Sequence, residues 1–283
     1  MNKPSPSEIN DPNCNLDLGV SDAVSILQNL IRCPSVTPLD AGALDYMQAW
    51  LSARGFTCYR QPYGQDTDTP SDNLFARLGT GAPHFCFAGH TDVVPPGNAG
   101  DWKHPPFSAE IDGGQIWGRG AVDMKGGVAA FMAATDKLLS AGALKGSISF
   151  LITGDEEGPA VHGTKAVVNW MEENKQIPDA CLVGEPTNPS KLTDMIKIGR
   201  RGSFTADVEF EGVQGHAAYP HLAKNPVHAA VAYAHRLTSR VFDEGTEHFP
   251  ASNLEVVTFD VGNPTGNVIP ARASLRANIR FND

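Results

Sequence analysis

His90 and Asp92 stand two residues apart in the stretch FCFAGHTDVVPPG, residues 85–97. The first four residues of that stretch are apolar and read as a buried strand that ends at Gly89. On extended backbone, side chains two apart project to one face. An imidazole and a carboxylate would therefore leave the strand end together. An imidazole is a good ligand for zinc or a similar cation, and the carboxylate is either a second ligand or the group that orients the first. A single His-x-Asp in a loop is more often ordinary solvated chemistry, so the rest of the chain decides its meaning. Asp123 precedes the pair Gly126-Gly127, Glu156 and Glu157 sit in GDEEG after the apolar run SISFLIT, and Glu185 follows the apolar run ACLV. Open α/β sheets collect their chemistry outside the carboxyl ends of their strands. Acidic residues at three strand ends and one loop imply a metal centre, mononuclear or dinuclear.

The elements that would position these groups alternate. Helical spacing begins at Ser21-Asp22 with Val24, Leu27, Leu30 and Ile31 on one face, and a second helix is expected over residues 40–54. Strands are expected over 56–60, 73–78, 85–88, 147–153 and 180–183, with helices over 128–140 and 163–174. Residues 101–127, rich in Gly, Pro and Trp, read as a long irregular functional loop. From about Lys197 the pattern changes to alternating strands over 201–211, 253–261 and 271–281, with an amphipathic helix over 225–241. The expected fold class is α/β: a zinc-peptidase-like catalytic domain with a mixed, mostly parallel sheet flanked by helices, plus an α+β lid or dimerisation domain. The expected organisation is a disordered tail over 1–19, a metal-dependent catalytic domain over 20–198 and the second domain over 199–283.

The 283 residues carry a formal net charge of −10, which argues against nucleic acid or anionic membrane as partner, because phosphate demands clustered Lys and Arg. Five scattered cysteines without a CxxC pair suit a reduced compartment. The polar amino-terminal stretch has no apolar core of a secretory signal, and no run approaches the roughly 18 apolar residues of a membrane span. The expected location is the cytoplasm.

With these residues assembled, the sequence resembles the M20 family of metallopeptidases and amidohydrolases, through AGHTDVVPPG, WGRGAVDMKGG, ITGDEEGPA, VGEPT and GVQGHAAYPHLAKNP. The resemblance runs from Ser21 to the last residue. It implies two divalent metals per subunit, Zn2+ or Co2+, with His90 and Glu185 on one, Glu157 on the other and Asp123 bridging. It implies Asp92 as the partner of the His90 imidazole and Glu156 as general base, the adjacent Glu156 and Glu157 dividing two roles. It further implies a cis Asp123–Met124 peptide. His216 resembles the family histidine that reaches into a partner subunit's site to stabilise the oxyanion, which implies a homodimer through the second domain. Asn267, in GNVIP, resembles a substrate-contacting residue. Arg200, Arg201 and Arg280 are candidates for gripping substrate carboxylates, since a guanidinium pairs with a carboxylate in bidentate fashion.

Within the family, IKIGRRGS, GHAAYPHLAKNP and GNVIP are most similar to the branch that hydrolyses the N-succinyl amide of diaminopimelate, a small-molecule dicarboxylate amide. A related deacylase acting on acetylornithine and a non-catalytic, metal-binding dimerisation relic are the alternatives. Family members continue past the position of Asp283, and that further segment supplies a histidine to the second metal. This chain is therefore expected to hold one metal well and the second poorly, with reduced turnover. His84, His104 and His162 are the candidate substitutes for that ligand on proximity grounds alone.

Overall fold

A computed structural model describes residues 17–282. They form two compact units, the first ending at Asn188 and the second beginning at Pro189. Of the expected tail, residues 1–16 lie outside the described residues, while Asp17 to Gly19 form a turn in which the Gly19 N–H donates to the Asp17 carboxylate at 2.8 Å.

The first unit contains α1 (Ala23–Arg32), α2 (Ala43–Ser52), β1 (Thr57–Arg60), β2 (Asn73–Leu78), β3 (His84–His90), β4 (Glu110–Asp112), β5 (Gln115–Trp117), α3 (Gly126–Ser140), β6 (Ser147–Thr153), α4 (Thr164–Glu173) and β7 (Ala180–Val183). Its main sheet runs in the order β1-β2-β6-β3-β7. β3 is parallel to β6 and β7, β2 is antiparallel to β6, and β1 is antiparallel to β2. Four of the five strands therefore point the same way, and the expected mixed, mostly parallel sheet is present.

All seven residues of β6 are buried, which is why it reads as an unbroken apolar run rather than an alternating one. Ile148, Phe150 and Ile152 face the cluster built by α1, α2 and α3, whereas Leu151 faces Val167 and Met171 of α4. The sheet is thus covered on both faces. The β7 edge differs, for all four of its residues are exposed.

Two local departures from the sequence reading have clear causes. The second helix starts at Ala43 rather than residue 40, because Ala41 and Gly42 adopt positive φ and the Asp40 carboxylate accepts from the Gly42 and Leu44 N–H groups. The loop over 101–127 is not wholly irregular. It contains the hairpin β4–β5, turned at Gly113-Gly114, where both residues have positive φ. A two-residue Gly-Gly turn between short alternating runs is a hairpin signal.

The second unit contains β8 (Gly202–Glu211), β9 (Gly215–His216), α5 (Pro226–Thr238), β10 (Asn253–Asp260), β11 (Val268–Ile269) and β12 (Arg272–Phe281). An antiparallel sheet in the order β10-β12-β8 packs beneath α5, with Ala273, Leu275 and Ala277 of β12 buried. This is the expected antiparallel α+β arrangement.

Candidate active site

The parallel direction of β3, β6 and β7 brings three chain segments to one edge of the sheet. His90 is the last residue of β3, Glu156 and Glu157 follow β6, and Glu185 follows β7. Asp123 arrives from the turn before α3. The His90 Nε2 atom lies 3.1 Å from Asp123 Oδ1, 3.5 Å from Glu185 Oε1 and 3.9 Å from Glu156 Oε2. His90, Asp123 and Glu157 form one group whose donor atoms lie within 4.8 Å of one another, and His90, Glu156 and Glu185 form a second. The five metal-centre and base candidates of the sequence reading therefore meet at one place.

Four small-residue contacts explain how Asp123 gets there. Met124 is fully buried, and a Cβ on Gly89 would stand 2.5 Å from its Cε atom and one on Gly184 2.9 Å away. A Cβ on Gly127 would stand 2.5 Å from the Gly184 carbonyl. The absent side chains of Gly89 and Gly184 make room for Met124, and Gly127 lets the start of α3 approach the turn that carries Glu185. A Cβ at Gly184 would also lie 2.4 Å from Phe87 Cζ. Gly184→Ala is expected to cost about 1–3 kcal/mol by overpacking, read as a lower urea midpoint. The Asp123–Met124 peptide is cis, as the resemblance implies.

The link between His90 and Asp92 differs from the expected one. His90 Nδ1 donates to the main-chain carbonyl of Asp92 at 2.9 Å, with the nearest Asp92 carboxylate oxygen at 3.5 Å. That carboxylate instead accepts from the Glu156 N–H at 3.1 Å and the Glu157 N–H at 2.9 Å. Those two amides lie in the loop after β6, outside the sheet ladder, and the Asp92 carboxylate gives them an acceptor. Asp92 thus orients the imidazole through its backbone and holds both glutamates through its side chain.

Asp155 is a further residue of the site that the sequence motifs do not single out. Its buried carboxylate accepts from Ala160, Val161 and His162 N–H groups at 3.1, 2.9 and 2.9 Å. It closes the loop behind the glutamate pair. Its place in the run GDEEG, next to the chemistry, was the available signal.

The electrostatics are those of crowded acids around one base. Burial lowers the His90 pKa, but the Asp92 carboxylate and carbonyl, with Glu185, more than offset this and raise it to about 9. Burial raises the Glu157 carboxyl, the Asp123, Glu156 and Asp92 charges raise it further, and His90 opposes them. No lysine or arginine forms an ion pair with Asp123, Glu156 or Glu157 among the described residues. Such a donor set, one imidazole and several carboxylates, suits a divalent cation of the zinc type.

The raised His90 pKa contributes stability to the cation-free chain below about 6.5, lost as pH rises through about 9. Cation affinity rises over the same window, because binding must displace the imidazole proton. Urea midpoints and isothermal cation titration between pH 6 and pH 9 should move in opposite directions.

The candidate substitute histidines do not join the site. His84 is buried in the sheet with Nε2 2.8 Å from Ser149 Oγ, and His104 pairs with Glu110 and Asp112 on the β4–β5 hairpin. His162 lies beside Gly64, with Nε2 3.5 Å from Thr67 Oγ1. Neither donor group contains any of the three. Each is held by its own local partners.

The other candidates lie in the second unit. His216 and Asn267 come together at the β9–β11 ribbon, where the Ala217 N–H donates to the Asn267 carbonyl and His216 Nδ1 accepts from the Ala218 N–H. Arg200, Arg201 and Arg280 line one open cavity of about 650 Å³, together with Lys197, His248 and Phe249. Arg201 already donates to the Ala251 carbonyl and Asn253 Oδ1, and Arg280 Nε to Asn278 Oδ1.

An α/β sheet with a buried imidazole and four acidic side chains gathered at its carboxyl edge defines the catalytic unit of a metal-dependent hydrolase. Comparison with known proteins agrees. The chain belongs to peptidase family M20/M25/M40, which matches residues 86–267. It is 57% identical over 263 residues to a succinyl-diaminopimelate desuccinylase of Rhodospirillum centenum, covering 93% of this chain and 68% of that protein. A protein of the same name from Maricaulis maris is 56% identical over 263 residues, covering 93% of this chain and 66% of that protein. The chain thus spans about two thirds of the length of these relatives. In fold it is similar to an M20-family metallo-carboxypeptidase of Sulfolobus solfataricus, with a TM-score of 0.68 at 18% identity, over 93% of this chain and 71% of that one.

Proposed function

We propose that this chain takes part in hydrolysing the N-succinyl amide of N-succinyl-LL-2,6-diaminopimelate to succinate and LL-diaminopimelate, a step of lysine and diaminopimelate synthesis in the cytoplasm. The observation that carries the chemistry is the meeting of His90 with Asp123, Glu156, Glu157 and Glu185 at one sheet edge. The observation that favours a succinyl substrate is the identity to the two desuccinylases. A cavity lined by Arg200, Arg201 and Arg280 agrees with it, because a succinyl group adds a carboxylate that guanidinium groups recognise.

In this reading His90 and Glu185 would hold one divalent metal and Glu157 a second, with Asp123 a ligand available to both. The metal, Zn2+ or Co2+, supplies a Lewis acid that acidifies water and polarises the scissile carbonyl. Glu156 and Glu185 both lie near His90, and exposure separates their roles. The Glu185 side chain is only 14% exposed and suits a ligand, whereas Glu156 is 44% exposed and suits a base that meets water and substrate. Glu156 takes the proton of the attacking water and passes it to the leaving amine nitrogen. His90 Nδ1, donating to the Asp92 carbonyl, leaves Nε2 facing the carboxylates and free to ligate. His216 and Asn267 are assigned to the oxyanion and the substrate. Exposed apolar side chains of the second unit, Phe204, Leu222 and Val231, support a homodimer formed through it.

The test is hydrolysis by the metal-reconstituted chain of N-succinyl-diaminopimelate and N-acetylornithine in parallel. Preference for the succinyl substrate supports the proposal. Preference for the acetyl substrate would transfer the chain to the related deacylases, and metal binding with no turnover of either would support the non-catalytic reading.

A further inference from the structure

Lys125 is fully buried, although an ammonium group is among the costliest to take out of water. Among the described residues no carboxylate is hydrogen-bonded to it. Its Nζ donates instead to the main-chain carbonyls of Leu30 at 2.9 Å and Cys33 at 2.8 Å. Those carbonyls lie at the carboxyl end of α1, where the helix dipole favours a cation, and each also accepts one backbone N–H, Leu30 from Cys33 at 3.2 Å and Cys33 from Ser35 at 2.8 Å. The backbone of the same residue is also held, for the Lys125 N–H donates to the Gly120 carbonyl at 2.9 Å. Gly120 has a φ of 79°, and a Cβ there would stand 3.3 Å from Lys125 Cδ and 2.6 Å from Val93 Cγ1. The lysine stem therefore runs under a glycine, close to the residue that follows Asp92. The tethered segment is the one that delivers Asp123, two residues earlier, to His90.

An apolar residue of similar length would fill this space, but it would remove both Nζ hydrogen bonds and leave the Leu30 carbonyl with the Cys33 N–H at 3.2 Å and the Cys33 carbonyl with Ser35. We propose that Lys125 is a positioning residue for cation binding: its buried ammonium ties the segment carrying Asp123 to the end of α1 and so fixes Asp123 against His90. The inference rests on the reading of this edge as a metal centre. Lys125 touches neither cation nor substrate in this arrangement and acts only through Asp123.

That indirect action can be separated from a general structural role by a double-mutant cycle on Co2+ binding. Co2+ affinity is measured by titration for the unsubstituted chain, Lys125→Met, Asp123→Asn and the double variant, with circular dichroism and a thermal melt on each. Lys125→Met is expected to weaken Co2+ binding by about 10–100-fold, the range seen when a group supporting a metal ligand is lost. In the Asp123→Asn background its effect is expected to fall below about twofold, because the coupling is lost with its partner. Equal losses in both backgrounds, or no loss in either, would overturn the positioning role. Lys125→Leu, which likewise removes the donors, carries the same cycle if the Met variant does not fold. A folded, unsubstituted chain that binds no Co2+ would overturn the metal reading itself, and this inference with it.

Discussion

Glu156→Gln is expected to lower the rate of amide hydrolysis by about 10²–10⁴-fold, the usual contribution of a positioned general base, and to leave cation binding within a few-fold of the unsubstituted chain. The amide of glutamine matches the carboxylate in shape but cannot take a proton from water. The change is local because the Glu156 contact that shapes the loop is its main-chain N–H, which donates to Asp92 whatever the side chain. Its side chain is the more exposed of the two glutamates beside His90, so the substitution leaves the buried packing alone. Single-turnover rates and cation titrations on the same preparation distinguish the roles. A Glu156→Gln chain that loses most of its cation affinity would make Glu156 a ligand and move the base elsewhere.

Asp92→Ala is expected to act on both stability and cation affinity. Asp92 is 1% exposed, and its carboxylate accepts the Glu156 and Glu157 N–H groups. Removing it takes the acceptor from two part-buried donors, at a cost on the order of 2 kcal/mol, since each unsatisfied buried donor costs about 1–3 kcal/mol and these are partly open to water. It also releases the main chain on which both glutamates ride and removes a charge that raises the His90 pKa. Loss of such support typically costs about 10–100-fold in metal affinity. Urea unfolding of the cation-free chain and cation titration measure the two effects separately. A variant with an unchanged urea midpoint would show that water or a shifted loop satisfies the two amides. The His90 imidazole, freed from the Asp92 carboxylate, is also expected to titrate below about 9 in NMR spectra.

Much of the site was legible because metal ligation and base catalysis need particular side-chain types, and the chain places those types at the ends of apolar runs. His90 ends, and Glu156, Glu157 and Glu185 follow, strands whose apolar character is plain, and the bounds 147–153 and 180–183 agree with β6 and β7. β6, buried along its whole length, announces itself by composition alone, and β7 by its apolar run although it is exposed. The hairpin β4–β5 was less visible, since its three-residue strands are half exposed and carry little apolar signal.

Side-chain aim was not legible. Spacing put His90 and Asp92 on one face, but it could not say that the imidazole would find the Asp92 carbonyl while the carboxylate turned to two amides 64 and 65 residues away. Nor could spacing show that Met124 fills the room left by Gly89 and Gly184, or that Lys125 is buried at the end of α1. To a linear reading a lysine beside an acidic residue is ordinary surface.

The sequence by itself determined the residue types of the metal-type donor set, the order of strands and helices that carries it, and the division into an α/β and an antiparallel part. These follow from short-range periodicity and from the chemistry of individual side chains. Only the tertiary structure decided which donors share one edge, which glutamate is sheltered enough to serve as a ligand, and which buried groups hold Asp123 in place. Those outcomes depend on the parallel pairing of β3 with β6 and β7 and on close approaches at three glycines. Contacts of that kind join residues far apart in the chain, and their energies are set by packing and desolvation that no local pattern records.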